Sequence, residues 1–144
     1  EIVAVTPEVE DDENEAIEVV TPATYYLKNG KHYIVYEEVV EGTSGVIKNR
    51  IKINGDECVE IVKSGLSNSH MIFEKNKKNQ TFYKTPYGQM LIGVNTRHLQ
   101  VDFEEDKIAV QIDYELDVNH EPMADCKIRM NIVSKDSGKF SVLS

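Results

Sequence analysis

Apolar and polar residues alternate with a period of two along most of this chain, which is the pattern of a β-strand with one buried face. The clearest case runs from Lys107 to Leu116. Its even-numbered residues are apolar or aromatic, and the residues between them are mostly polar. We therefore predict a strand with one wet face, as found in antiparallel sheets.

Turn residues separate this strand from others of the same kind. Asn29-Gly30 and Asn54-Gly55 are strong hairpin signals, because both residue types tolerate a positive φ. Pro86 lacks an N–H and Gly88 is conformationally free, so together they should end one strand and begin the next. The predicted strands are 16–20, 23–27, 31–40, 46–53, 57–63, 69–75, 80–84, 90–98, 107–116 and 126–133. Helical periodicity is nearly absent, and about 8–10 short strands are typical of a β-sandwich or a closed barrel.

The alternation also predicts which side chains face the interior. On the three C-terminal strands the inward set is Met90, Ile92, Val94, Thr96, Ile108, Val110, Ile112, Tyr114, Ile128, Met130 and Ile132. Gly93 is a candidate β-bulge that would reverse the faces of its strand.

Length and charge narrow the class of protein. A chain of 144 residues is expected to form one domain, residues 1–144. Sixteen basic and 25 acidic residues give a net charge of −9, which disfavours binding to nucleic acid. The acidic run 8–15 is interpreted as a solvated loop and residues 135–144 as a frayed tail. No apolar run is long enough to span a membrane.

The two cysteines indicate a compartment. Cys58 and Cys126 lie in predicted strands and form no CxxC motif, so we interpret them as small thiols of a reduced, cytoplasmic protein. The sequence opens without a secretory signal. Because it starts at Glu1, the removal of a signal peptide stays an open alternative.

Four segments resemble a known family. They are "YYLKNGKHYIVYEE" (25–38), "VKSGLSNSHMIFE" (62–74), "FYKTPYGQMLIGVNTRHLQ" (82–100) and "IDYELDVN" (112–119). Their order and sequence resemble the YwiB-like family of uncharacterised bacterial proteins over about residues 15 to 133. Two segments depart from the family pattern: Lys48 to Arg50 replaces small hydroxylated residues, and Lys63-Ser64 precedes Gly65 where the family often has Arg.

This resemblance implies an antiparallel, calycin-like (lipocalin-type) β-barrel in a cytoplasmic bacterial protein. It implies no activity, and the family offers no catalytic or binding residues to transfer.

Candidate ligand-binding residues follow from the barrel expectation, since an interior of this size is either filled or holds one small ligand. We assign six residues to the barrel interior or its mouth: Tyr87, Arg97, Val110, Ile112, Tyr114 and Met130. Tyr114 offers a hydroxyl as a polar handle for a ligand, but the favoured interpretation is a packed tyrosine with its hydroxyl at the rim. Arg97 and Tyr87 form a candidate carboxylate clamp, the alternative being an ordinary surface arginine.

Catalytic and metal sites have less support. The four histidines stand in separate segments without HxH or HExxH spacing, and "DFEED" (102–106) lacks the glycine and ligand spacing of a calcium loop. No nucleophile elbow, phosphate loop or dinucleotide fingerprint is present. We therefore expect no metal and no cofactor, and an enzyme is the minority hypothesis.

Two hypotheses remain ahead of it. The first is a barrel that binds a small apolar or amphipathic ligand inside or at its mouth. The second is an interaction or scaffold protein with a solid interior. The sequence leaves open the ligand and the oligomeric state.

Overall fold

A computed structural model describes residues 2–9, 17–18, 21–39, 41–66, 68–85 and 87–134. They form eleven strands: β1 (Ile2–Val9), β2 (Ile17–Glu18), β3 (Thr21–Lys28), β4 (Lys31–Val39), β5 (Val46–Asn54), β6 (Cys58–Gly65), β7 (Ser69–Glu74), β8 (Lys78–Thr85), β9 (Gly88–Phe103), β10 (Lys107–Val118) and β11 (Glu121–Ser134). Every pairing between them is antiparallel, and these residues include no helix. The all-β prediction is confirmed. No helix in the described ranges is long and apolar enough to cross a bilayer.

The strands belong to one sheet made of two meanders. Strands β3 to β7 are successive neighbours, as are β8 to β11. Strand β1 joins the meanders by pairing with β3 on one side and β11 on the other. The short β2 pairs with β1 alone. Because hairpin turns link sequential neighbours, the long-range pairing is concentrated at β1.

The expected closed barrel is not what the structure shows. The sheet ends at β7 and β8, and no hydrogen-bonded ladder joins these strands in the described part of the chain. They follow one another in sequence but diverge from their shared turn. The turn is bound to β9 instead: Asn76 N–H donates to the Thr96 carbonyl at 3.1 Å, and Thr96 N–H donates to the Lys77 carbonyl at 3.0 Å.

The sheet nevertheless rolls until its two ends approach each other. Phe73 on β7 meets Tyr114 on β10 edge-on, with ring centroids 4.9 Å apart and planes at 60°. This contact closes the seam beside the β7–β8 turn. Away from the turn the two edges separate, and this gap is the feature that positions the candidate site.

The inner face of the rolled sheet is a packed core. Its buried apolar members are Ala23, Ile34, Tyr36, Ile51, Ile53, Val59, Phe73, Val94, Leu99, Val101, Ile108, Val110, Ile112, Met130 and Ile132. Ile92, Tyr114 and Ile128 are partly buried against it. The inward faces predicted for β9, β10 and β11 are therefore confirmed, because alternation along a strand is a local property.

Three details differ from the sequence prediction. Strand β1 was not predicted, and with it the count reaches eleven. Strand β9 passes through Gly93 in register, and the irregularity lies instead at Arg97, where the partners of β10 step from His98 to Thr96. Of the acidic run, Glu8 and Val9 belong to β1, whereas residues 10–15, like the tail 135–144, fall outside the described residues.

Candidate ligand-binding site

A groove of about 880 Å³ opens where β7 and β8 diverge. We call it the seam groove. Its floor is formed by Met90, Ile92 and Leu116 of β9 and β10, and its two walls come from β6–β7 and from β8. The register explains the floor, because Leu116 is opposite Val94, a buried core residue, and Ile92 lies two residues before Val94 on the same face. The floor is thus a continuation of the core that no further strand covers.

The walls carry more polar side chains than the floor. Lys63, Ser69 and Met71 contribute from β6 and β7, and Thr81 and Tyr83 contribute from β8. Each residue of the β8 wall pairs with a floor strand position, Thr81 with Ile92 and Tyr83 with Met90. The groove therefore combines an apolar floor with hydroxyl and charged groups along its sides.

Two exposed apolar side chains stand at the rim. Leu66 is 55% exposed and Phe82 is 71% exposed, and both line the groove. Glycines set the position of Leu66: a Cβ on Gly45 would lie 2.6 Å from its side chain, and Gly65 has a φ of +111°. The backbone of Gly65 also passes Val46 so closely that a Cβ there would come within 2.5 Å of the Val46 carbonyl oxygen.

Behind the β6 wall lies a polar cluster on the inner face. Lys63 Nζ is 3.3 Å from Glu38 Oε1, and Asn49 Nδ2 donates to the same oxygen at 2.6 Å. Burial, and after it the Glu38 carboxylate, raises the pKa of Tyr36 to about 12. Asn49 is 1% exposed, and its Oδ1 has no hydrogen-bond partner among the described residues.

His70, on the outer edge of the same wall, is also engaged. Its Nε2 contacts Glu60 Oε1, and the other oxygen of Glu60 lies 4.0 Å from Lys52 Nζ. Lys63 and His70, the two basic residues among the described lining residues, thus each have a carboxylate partner.

The β8 wall holds a second polar group. Asn79 lies two residues before Thr81 and so points to the same face. Its Nδ2 is buried without a hydrogen-bond partner in the described ranges. Thr96 Oγ1 lies further along the seam, beside the β7–β8 turn. It is also buried without a hydrogen-bond partner among the described residues.

Three of the six residues predicted to bind a ligand are core residues. Val110, Ile112 and Met130 are buried among the apolar side chains of the rolled sheet. Tyr114 packs edge-on against Phe73 and lies opposite Cys126 on β11. Burial, and after it the neighbouring Cys126, raises the pKa of Tyr114. None of these four lines the seam groove.

The structure does not bring Arg97 and Tyr87 together as a carboxylate clamp. Ten residues of extended strand separate them, which corresponds to about 30 Å. Arg97 Nη2 instead pairs with Glu115 Oε2 at 2.6 Å, while Tyr87 is fully exposed at the β8–β9 turn. Ligand binding by any of the six residues remains a prediction.

Sequence reasoning missed the groove because it expected a closed barrel, in which no seam stays open. The relevant residues Met71, Thr81 and Leu116 were visible as members of alternating strands. What marks them as accessible is that no ladder joins β7 and β8 among the described residues, which is a tertiary feature.

Neither metal ligands nor a disulfide are found in the described residues. They contain no group of three or more His, Cys, Asp and Glu side chains arranged to hold a metal ion. Cys58 and Cys126 are both free and half-buried. Burial, with Glu74 and Glu60 beside it, raises the pKa of the Cys58 thiol.

Comparisons with known proteins agree with this architecture. The chain is 32% identical over 114 residues to the uncharacterized beta-barrel protein YwiB of Bacillus subtilis (strain 168), and the match covers 78% of each chain. The crystal structure of the ywiB protein from Bacillus subtilis has the same fold, with a TM-score of 0.69 at 24% identity over 92% of this chain and 89% of that one. Residues 3–130 match the model of a domain of unknown function, DUF1934. The chain therefore belongs to the DUF1934 family, whose relative YwiB is described as a β-barrel.

Proposed function

We propose that this protein binds one small amphipathic molecule in the seam groove. The apolar part of the ligand would lie on Met90, Ile92 and Leu116, and its polar part would face the walls. The observation that carries the proposal is an apolar floor left open by the divergence of β7 and β8.

Size and composition both support a small-molecule occupant. Ligand pockets have volumes of about 300–1,000 Å³ and combine apolar linings with a few polar groups. The groove, at about 880 Å³, falls within this range. Met71 and Met90 supply flexible thioether side chains, which adapt to irregular apolar ligands. The packed interior, with Ile34, Ile53 and Ile112 at its centre, favours the seam over a central cavity as the site.

The proposal extends to the architecture of the sheet. We propose that the sheet is a calycin-like barrel in which the final seam, between β7 and β8, stays open to admit the ligand. A relative described as a β-barrel supports this reading. Two free, half-buried thiols support a reducing, cytoplasmic environment.

A tryptophan placed in the groove tests the proposal. The chain contains no tryptophan, so Met90→Trp both fills the floor and introduces a specific fluorophore. The probe is N-phenyl-1-naphthylamine, an uncharged apolar dye. We expect the unmodified protein to bind the dye and Met90→Trp to bind it at least about tenfold more weakly, a difference of about 1.4 kcal/mol.

The matched control is Met123→Trp. Met123 is an exposed residue of β11 that does not line the groove, so this variant should keep the affinity of the unmodified protein. Equal dye affinity in both variants, with circular dichroism showing both to be folded, would rule out the seam groove as the dye site.

A second candidate function is strand addition by a protein partner. One edge of strand β7 is unpaired within the described ranges, and the strand contains neither proline nor lysine, the residues that usually protect such edges. An extended peptide could therefore pair with it. Light scattering distinguishes the two: a partner strand raises the mass of the complex, whereas a small amphipathic ligand leaves it essentially unchanged.

A further inference from the structure

We infer that the ligand of the seam groove carries an uncharged polar group that both donates and accepts hydrogen bonds, such as a hydroxyl or an amide, rather than a carboxylate or an ammonium group. The inference rests on the proposed function and adds the chemical class of the ligand's head group. It follows from the charges around the groove and from two buried polar atoms beside it.

An anionic head group finds no free cation among the described residues that line the groove. Lys63 is engaged by Glu38 and His70 by Glu60. To bind either residue, a carboxylate would have to displace a carboxylate of the protein, and it would approach a chain of net charge −9. Moving a charge out of water without a partner is strongly unfavourable.

Binding of a cationic head group in the groove is also disfavoured. Within the described part of the chain, no Asp or Glu lines the groove. Glu38, behind the β6 wall, already accepts from Lys63 and from Asn49, and Glu60 of β6 is engaged by His70 and Lys52. An ammonium group in the groove would therefore lie beside Lys63 without a free counter-ion among the described residues.

A buried acceptor lies next to the β6 wall. Asn49 is the cross-strand partner of Lys63, which lines the groove. The orientation of its amide is fixed, because the end that faces the Glu38 carboxylate must be the donating NH₂. Its Oδ1 is consequently an acceptor, buried and without a partner in the described part of the chain. A buried acceptor in this condition destabilises the folded state until a donor reaches it.

A buried donor lies next to the opposite wall. Asn79 Nδ2 has no partner within the described ranges, and Asn79 shares a face with Thr81 of the groove. The groove is thus flanked by a free acceptor near the start of β7 and a free donor near the start of β8, which the strand registers place at opposite ends of the seam. A hydroxyl or an amide suits either end because it both donates and accepts, whereas a carboxylate cannot donate and a quaternary ammonium can do neither.

A head-group series tests the inference. Dodecan-1-ol, dodecanoate and dodecyltrimethylammonium share one chain length and differ in charge. Each would be titrated at pH 7, below its micelle-forming concentration, against the protein loaded with N-phenyl-1-naphthylamine. We expect the alcohol to displace half of the dye at a concentration at least about tenfold lower than either ion.

Substitution of Asn49 tests the assigned acceptor. Asn49→Leu has a similar volume and removes Oδ1, so the preference for the alcohol should shrink while the fold is retained. Thr96→Val is the matched control, because it removes a buried hydroxyl that also lacks a described partner but lies beside the β7–β8 turn. This variant should keep the preference. If Asn49→Leu fails to fold, the head-group series on the unmodified protein still decides the charge rule.

The outcomes separate the two proposals. If either ion displaces the dye as well as the alcohol does, the head-group inference is overturned while binding in the groove stands. An unchanged preference in Asn49→Leu overturns the assignment of the acceptor. If neither the dye nor any twelve-carbon compound binds, the proposed function fails and the head-group inference fails with it.

Discussion

Single residues on the outer face show how local packing places charge in this sheet. Asp117 is 4% exposed although it lies on the outer face of β10, because its neighbour on β9 is Gly93. A Cβ on Gly93 would lie 3.2 Å from Asp117 Oδ2 and 3.0 Å from Lys78 Cε. The missing side chain leaves a depression that holds the carboxylate, and the Lys78 ammonium pairs with it from β8.

Removal of Lys78 should therefore destabilise the protein. Lys78→Met leaves the Asp117 carboxylate buried without its counter-ion, and we expect the free energy of unfolding to fall by about 2–3 kcal/mol. This is below the range for fully buried pairs because Lys78 itself is partly exposed. Urea unfolding measures the change.

A neighbouring lysine provides the control. Lys77 pairs with Glu74 at 3.4 Å on the surface, so Lys77→Met should change the free energy of unfolding by less than about 0.5 kcal/mol. The double variant Lys78→Met/Asp117→Leu should recover most of the loss. Equal effects of the two single lysine variants would contradict the role given to the buried carboxylate.

His32 should make stability depend on pH. Burial lowers its pKa below the ordinary value of 6.5, and Tyr25 Oη lies 2.6 Å from its Nδ1. Just below pH 6.5 the unfolded chain then binds more protons than the folded one, so the free energy of unfolding falls as the pH falls through that window. His32→Gln should flatten this slope in urea unfolding measured at successive pH values. An identical slope in the variant would exclude His32 as its source.

At the scale of an element, glycine positions decide where strands end and what their ends present. Gly65 ends β6 with a positive φ. The neighbouring strand β5 passes directly against it at Val46. The chain then leaves the sheet, which carries Leu66 to the rim of the seam groove. Gly42 also has a positive φ, of +79°, but has nothing within 4 Å of a Cβ.

This difference yields a paired prediction. Gly42→Ala incurs only backbone strain, and we expect a loss of about 1 kcal/mol in the free energy of unfolding. Gly65→Ala adds a clash with the Val46 carbonyl oxygen, so we expect about 2–3 kcal/mol. Only Gly65→Ala should also weaken dye binding, because it displaces Leu66. Urea unfolding and dye titration measure the two effects, and comparable losses in both variants would contradict the close approach at Gly65.

At the scale of the whole molecule, the open seam should be visible in amide hydrogen exchange. Strand β5 pairs on both sides, with β4 and β6, whereas β7 pairs with β6 alone. Amides of β7 that face the seam should exchange at least about tenfold faster than those of β5, because edge groups open without breaking a second ladder. Exchange measured by NMR tests this. Protection of all β7 amides at the level of β5 would indicate a closed ladder in solution.

Structural features that depend on residues close together in the sequence were predictable, whereas features that depend on contacts between distant residues were not. The inward faces of β9, β10 and β11 were predicted correctly because a period of two depends only on adjacent residues. The turn at Asn29-Gly30 was predicted because both residues adopt a positive φ there, which side-chain chemistry allows locally. Strand β1 was missed, although it is the strand that joins the two meanders.

The candidate site was not predictable in the same way. Val110, Ile112 and Met130 were correctly placed on the inner face, but an inner-face residue is either core or ligand-accessible depending on which strands cover it. The turn residues Asn76 and Lys77 bond to Thr96 of β9, and the seam groove opens further along, where no ladder joins β7 and β8 in the described part of the chain.

The sequence by itself determined most of the strands, their faces and most of the turns, since these follow from alternation and φ preferences. Only the tertiary structure decided which edges pair, where the sheet stays open and which polar atoms are buried without partners. These properties depend on contacts between residues far apart in the chain. Loop-closure entropy, strand register and side-chain volume jointly determine which of these contacts form.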